Sequence, residues 1–168
     1  KKLVIVLMAA LLAACGGGPV SGPAKKFLSA EDNAVIELFE AIKKNPTDKS
    51  LQDLLEPTYR RAMESRSSMK SYVLRDNPPG DRWVLWRRQL EASQAITDLI
   101  MSDARLAALL TGAVQFRDDI SEARQKAAEE YYDAGMELLR KGTRQEARRA
   151  MDLLSKANRE IPAFKDVA

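Results

Sequence analysis

The fold class is decided by residues 127–162, which read AAEEYYDAGMELLRKGTRQEARRAMDLLSKANREIP. Apolar and small residues recur there at three- and four-residue spacing, a pattern that predicts helix rather than strand. Gly142 predicts the end of one helix. Thr143, followed three residues later by Glu146, is the capping-box pattern that begins another, and Pro162 marks its end. We therefore predict two antiparallel helices joined by a tight turn.

The same helical spacing extends upstream, towards residue 30. A first helix is predicted over residues 30–44, with Ser29 as its N-cap and Asn45-Pro46 as its end. Its predicted buried face consists of Ala34, Leu38, Ala41 and Ile42. A second helical stretch follows Asp48, and Pro57 inside it predicts either a kink or a division into two pieces.

The clearest loop of the body is DNPPGD, residues 76–81. Asp81 is predicted to cap a long helix that is interrupted near Ser102-Asp103 and stopped by Gly112. Its predicted buried stripe is Trp83, Trp86, Leu90, Ile96, Leu99 and Ile100. No alternating strand pattern occurs from residue 30 onward, so we predict an all-α fold made of antiparallel helical hairpins.

The composition excludes several common classes of catalytic and metal site. The chain has 168 residues and 18.7 kDa, with 27 Lys+Arg, 24 Asp+Glu, no histidine and one cysteine. These counts exclude a histidine general base, a Ser-His or Cys-His pair, and a zinc site of histidines or several cysteines. We predict a protein that is not an enzyme and has no cofactor and no metal. Asp118-Asp119 is interpreted as solvated helix surface, because adjacent carboxylates on a helix point about 100° apart.

The N-terminus has the pattern of a targeting segment. Lys1 and Lys2 precede an apolar run of 12 residues, Leu3–Ala14. That run is shorter than the ~20 residues of a membrane-spanning helix, but it suits the core of a signal peptide. Small residues end the run immediately before Cys15 and a glycine tract.

Leu12-Ala13-Ala14-Cys15 resembles the lipobox of bacterial lipoproteins. The resemblance implies that Cys15 is acylated and that the chain is cut before it. Residues 1–14 would be the signal peptide, 15–29 an acylated cysteine with a flexible tether, and 30–168 the helical domain. Gly16 after the cysteine, by the same resemblance, favours the outer membrane, and the absence of an acidic run after Cys15 favours an anchor that faces the periplasm. A plain secretory signal and a buried first helix are the alternatives.

One sequence pattern occurs twice, once near each end of the body. Residues 34–46 and 150–162 both follow A-x3-L-x2-A-x4-P, a pattern that resembles the closing half of a tetratricopeptide repeat. Tyr131, Gly135, Gly142, Glu146 and Ala147 match the spacing of the opening half. The resemblance implies a degenerate TPR-like, α-solenoid fragment, similar to helical lipoproteins of Bacteroidota. An irregular helical bundle is the alternative.

The TPR resemblance also implies where a partner binds. By the spacing of that family, the ligand-facing positions of the first helix of the final hairpin are Glu129, Tyr132, Met136, Leu139 and Arg140. The implied function is a membrane-anchored module that binds a protein or peptide of the cell envelope.

A second candidate surface is basic and contains tryptophan. Between residues 59 and 88 the cations outnumber the carboxylates, and Trp83 and Trp86 lie among them. The candidate anionic-ligand residues are Arg60, Arg61, Arg66, Lys70, Arg82, Arg87 and Arg88. This surface would bind an anionic lipid or a glycan. A solvated basic face beside a core that contains the tryptophans, and a surface for an acidic partner protein, are the alternatives. Without residues 1–14 the chain has a formal charge of only +1, and export makes nucleic acid an unexpected partner.

Overall fold

The computed structural model describes residue 20 and residues 22–166, and within them the fold is all-α. The helices are α1 Ala30–Lys44, α2 Lys49–Asp76, α3 Asp81–Met101, α4 Ala104–Ala107, α5 Arg117–Arg140 and α6 Arg144–Glu160. Short 3-10 helices cover Gly22–Phe27 and Phe164–Asp166. Helix α3 is central, since it contacts α1, α2, α4, α5 and the first 3-10 helix.

Helix α1 begins and ends where the sequence predicts. Ser29 and Asp32 form a reciprocal capping box: the Ser29 N–H donates to Asp32 Oδ2 at 2.8 Å, and the Asp32 N–H donates to Ser29 Oγ at 3.1 Å. Helix α2 begins after the Asp48 cap and continues through Pro57, so it is not divided into two pieces.

The predicted buried face of α1 is confirmed at Ile42 and wrong at Ala34. Val35, Phe39 and Ile42 are at most 2 % exposed, whereas Ala34 is exposed and Leu38 only half-buried. Val35 and Phe39 bury more apolar area than alanine does, and that area stabilises the folded state at about 25 cal/mol per Å². The helix is therefore rotated by about one residue from the prediction.

The predicted cap of α3 is also wrong. The N-cap is Gly80, at φ 78°, and Asp81 is the first helical residue. A Cβ at residue 80 would lie 2.3 Å from Tyr131 Cδ1, so only glycine fits against this ring. Asp81 instead accepts a hydrogen bond from the Tyr131 hydroxyl.

The interruption after α3 and the final hairpin are confirmed. Helix α3 ends at Met101, and Asp103 caps the short α4, whose end at Ala107 precedes the predicted stop at Gly112. Helices α5 and α6 meet at Gly142, which has φ 74°, and the Thr143 hydroxyl accepts from the Glu146 N–H at 3.2 Å.

Part of the predicted tether is folded onto the body. Residues 22–27 form a 3-10 helix against α3, Val20 is buried and Leu28 packs on the main core. Residues 1–19 and 21, which include Cys15 and the predicted signal peptide, lie outside the described residues. No helix between residues 22 and 166 combines the length and the apolarity that crossing a membrane requires.

Candidate functional site

The outer face of α5 forms an open groove of about 400 Å³. Three of the predicted partner-binding residues line it, namely Tyr132, Met136 and Arg140, and Asp133 and Glu137 line it with them. These positions follow one another at three- and four-residue spacing, so they form one continuous stripe along the helix. The groove therefore combines two large side chains, Tyr132 and Met136, with charged residues of both signs.

The packing of α5 against α6 explains why this stripe stays open. Helix α5 buries Ala127, Ala128, Tyr131 and Gly135. A Cβ on Gly135 would lie 2.9 Å from Leu154 Cγ and 3.3 Å from the Ala150 carbonyl oxygen, so the two helices approach closely at this point. Gly135 and the buried alanines allow α6 to pack closely on α5. Tyr132 and Met136, which follow Tyr131 and Gly135 in the sequence, lie outside this contact and line the groove.

The segment after α6 packs against Tyr132, one of the groove residues. Phe164 packs edge-on against Tyr132 with ring centroids 5.9 Å apart. Lys165 Nζ lies 4.6 Å from the Tyr132 ring centroid and 3.9 Å from Asp133 Oδ1. The tyrosine is thus held in place by an aromatic ring and a cation.

The structure leaves two of the five predicted partner-binding residues outside the groove lining. Glu129 is half-buried, and its Oε1 accepts from Gln125 Nε2 at 2.9 Å. Leu139 is 40 % exposed on the neighbouring face of α5. Asp133 and Glu137 were missed because the family spacing on which the prediction rested does not include them.

Arg66 does not belong to a basic surface, which corrects the sequence prediction. It is 2 % exposed and forms an ion pair with the fully buried Asp32. Its Nε donates to Ser93 Oγ at 2.9 Å and its Nη2 to the Phe27 carbonyl oxygen at 3.3 Å. Burial lowers the pKa of the Arg66 guanidinium, and the carboxylates of Asp32 and Glu31 act in the opposite direction. Arg66 joins α1, α2, α3 and the N-terminal segment.

Several other cations of the predicted basic face are neutralised by carboxylates. Arg60 pairs with Glu56, Arg82 with Glu130, and Arg87 with Glu91 and Glu160. Lys70 and Arg88 instead lie over aromatic rings, those of Trp86 and Phe27, and Arg61 is exposed. The seven predicted residues therefore do not form one basic surface.

Glu130 is a structural carboxylate that sequence reasoning missed. It accepts from the Gly80 N–H at 2.6 Å, from Trp83 Nε1 at 2.9 Å and from Arg82. Burial alone would raise the pKa of Glu130, but these hydrogen bonds outweigh it and hold the pKa below the usual value. The only signal in the sequence is a carboxylate next to Tyr131, which does not reveal a partner 50 residues away.

The chain was compared with protein families, curated proteins and solved structures, and none of them matches.

Asp118 and Asp119 are both exposed at the start of α5. Within the described part of the chain, no three acidic, histidine or cysteine side chains lie together as a metal site would require. The α5 groove is the candidate site, because it is open and contains three of the five residues predicted to bind a partner.

Proposed function

We propose that this protein is a lipoprotein of the bacterial cell envelope whose helical body binds a protein or peptide in the α5 groove. Acylation at Cys15 would anchor it, on the outer membrane and facing the periplasm, and the body would act without enzymatic chemistry. The observation that carries the proposal is that Tyr132, Met136 and Arg140 share one open groove beside a hairpin with TPR-like spacing.

The groove has the chemistry of a peptide site of moderate polarity. Aromatic, methionine and arginine side chains are enriched in protein interfaces. Here Tyr132 is fixed by its neighbours, so little side-chain entropy is lost when a partner packs on it. Asp133 and Arg140 offer opposite charges, which suits an extended or helical segment with one apolar anchor and flanking charges of both signs.

The groove is tested by one pair of matched substitutions, Met136→Glu and Met151→Glu. Met136 lines the groove, whereas Met151 is 69 % exposed on α6 and outside it. Crosslinking from envelopes, with the acylated protein as bait, should recover a partner with the wild type and with Met151→Glu. Met136→Glu should lower that recovery at least about tenfold, because it places a carboxylate against the apolar anchor.

Far-UV circular dichroism of both variants controls for folding. Equal recovery by the two glutamate variants, or a wild type that recovers nothing, would contradict binding in this groove.

The anchor is tested separately by Cys15→Ser. The acyl chains attached to Cys15 would hold the protein on the membrane. The serine variant should therefore leave the membrane fraction. Unchanged fractionation would exclude the lipid anchor and would leave the groove proposal standing.

Binding of an anionic lipid or glycan remains the second candidate function. The observation in its favour is that Arg61 and Arg88 are in no ion pair among the described residues. The other cations of region 59–88 are buried, paired with carboxylates or placed over aromatic rings. Such a ligand would therefore bind at a small part of the surface rather than along the whole region.

A further inference from the structure

The N-terminal segment is fastened to the body close to the proposed anchor. The Phe27 carbonyl accepts from the buried Arg66, and the Phe27 ring lies 5.5 Å from the Arg88 guanidinium carbon. Val20 is 6 % exposed. The five Cα–Cα steps from Cys15 to Val20 span at most about 18 Å even when the chain is fully extended. If Cys15 is acylated, the body is therefore held next to the lipid headgroups.

Arg88 also lines a pocket of about 220 Å³ between α3, α5 and α6. The pocket volume is several times the ~30 Å³ that a water molecule occupies in the liquid. Lys156 and Arg159 from α6 line the pocket as well, with the two carboxylates of Asp81 and Glu160. Because Arg88 touches both the pocket and Phe27, the pocket adjoins the fastened N-terminal segment.

The carboxylates of this pocket already have partners. Asp81 accepts from the Tyr131 hydroxyl and lies 3.5 Å from Lys156 Nζ. Glu160 lies 3.2 Å from Arg87, a residue outside the pocket lining. Lys156 is held over the Tyr131 ring at 5.3 Å from its centroid. The pocket therefore has an excess of positive charge.

The excess comes from two guanidinium groups. Neither Arg88 nor Arg159 is within ion-pair distance of a carboxylate in the part of the chain that the structure describes. Arg159 has a contact of 3.4 Å to Ser155 Oγ. Guanidinium groups bind phosphate oxygens through paired N–H donors. Two such groups beside a lysine are suited to one phosphate.

We propose that Arg88, Lys156 and Arg159 bind the phosphate of an anionic phospholipid headgroup, and that this contact orients the body on the membrane. The proposal rests on the proposed lipid anchor, since the anchor is what brings the pocket to the bilayer. It also replaces the dispersed basic region with a local site that joins one of its residues to two from α6.

The test uses an unacylated chain of residues 16–168, which keeps every described contact, and vesicles of pure phosphatidylglycerol or pure phosphatidylcholine. The pocket variant is Lys156→Gln/Arg159→Gln. Its matched control is Lys141→Gln/Arg144→Gln, which removes the same two residue types from the exposed turn at the other end of the hairpin. Circular dichroism checks that both variants are folded.

We expect the wild type and the control to sediment with phosphatidylglycerol vesicles and not with phosphatidylcholine vesicles. The pocket variant should bind about 30-fold more weakly, since each cation at a membrane surface contributes ~1 kcal/mol. Equal weakening of both variants would mean unspecific charge attraction and would overturn the pocket. Unchanged binding by the pocket variant would overturn it too.

Inorganic phosphate distinguishes a headgroup site from a site for the free anion. If phosphate alone raises the unfolding temperature of the wild type but not of the pocket variant, while vesicles bind both equally, the ligand is the free anion and the lipid proposal fails. Failure of the anchor would appear elsewhere, as unchanged fractionation of Cys15→Ser.

Discussion

Helices α1 and α6 carry the same residue types at matching positions, yet they bury different faces. In α6, Ala150 and Ala157 are fully buried, whereas in α1 the residue that matches Ala150, Ala34, is exposed. Helix α1 buries Val35, one position further on, and the α6 residue that matches it, Met151, is 69 % exposed. One residue rotates the face of a helix by about 100°.

The difference lies in what each helix packs against. Helix α6 faces Gly135, where the backbone at Ala150 and the Leu154 side chain come close to α5. Helix α1 faces a core of large apolar residues and Arg66, so it supplies large side chains and the buried Asp32. The same spacing therefore predicts a helix in both places, but the part of the fold against which each helix packs decides which face is buried. The alanines at the repeated positions are fully buried in α6 and not in α1.

The largest expected effect comes from removing the buried ion pair that joins α1 to α2. Arg66→Ala should lower the free energy of unfolding by about 3–5 kcal/mol, because it leaves the Asp32 carboxylate buried without its cation. Asp32→Asn/Arg66→Met should lose less than the single variant, since it leaves no unpaired charge. Denaturant unfolding of both variants measures the difference. A loss below about 1 kcal/mol for Arg66→Ala would contradict the burial of this ion pair.

The next largest effect comes from weakening the contact between the α5–α6 hairpin and the start of α3. Gly80→Ala should cost about 3 kcal/mol or more, because it adds backbone strain at positive φ to a clash with the Tyr131 ring. Gly142→Ala should cost only about 1–2 kcal/mol, since residue 142 shares the positive φ but its added Cβ meets open space. Thermal unfolding of the two variants separates the clash from the strain, and equal costs would argue against the Tyr131 contact.

The smallest effect is the pH dependence of the same junction. The pKa of Glu130 is lowered in the folded state, so its stabilisation is complete above the usual value of 4.5 and is lost as the pH falls through the lowered pKa. At pH 7, Glu130→Gln should cost about 1.5–3 kcal/mol, the range for hydrogen bonds to a charged group. That difference from the wild type should shrink in acid. Urea unfolding at several pH values checks this, and a difference that does not change with pH would exclude a charged Glu130 in the junction.

Local signals account for the parts of the fold that the sequence predicted. The Ser29 cap, the Gly142 turn, the Thr143 cap and the end before Pro162 each depend on residues a few positions apart. For that reason these helix ends are predictable without knowledge of any tertiary contact. The same is true of the small residues at the α5–α6 contact, which follow from spacing along two adjacent helices.

Distant contacts account for what the sequence did not predict. Arg66 was assigned to a basic surface because nothing near it in the sequence points to Asp32, 34 residues away, or to Ser93, 27 residues away. The face of α1 was misassigned because the repeat-like spacing drew attention to Ala34 rather than to Val35. In the groove, the positions of Tyr132, Met136 and Arg140 on one stripe follow from the TPR resemblance, but the packing of Phe164 on Tyr132 does not.

One pair of substitutions tests the central comparison most directly, Ala34→Leu in α1 and Ala150→Leu in α6. The free energy of unfolding of each is measured in denaturant against the wild type. Ala34→Leu should change it by less than about 0.5 kcal/mol, since the side chain points to solvent. Ala150→Leu should lower it by about 1–3 kcal/mol, because the larger side chain has no room between α6 and α5. Equal costs, or a larger cost at residue 34, would contradict the opposite burial of the two helices and the position of the groove that depends on it.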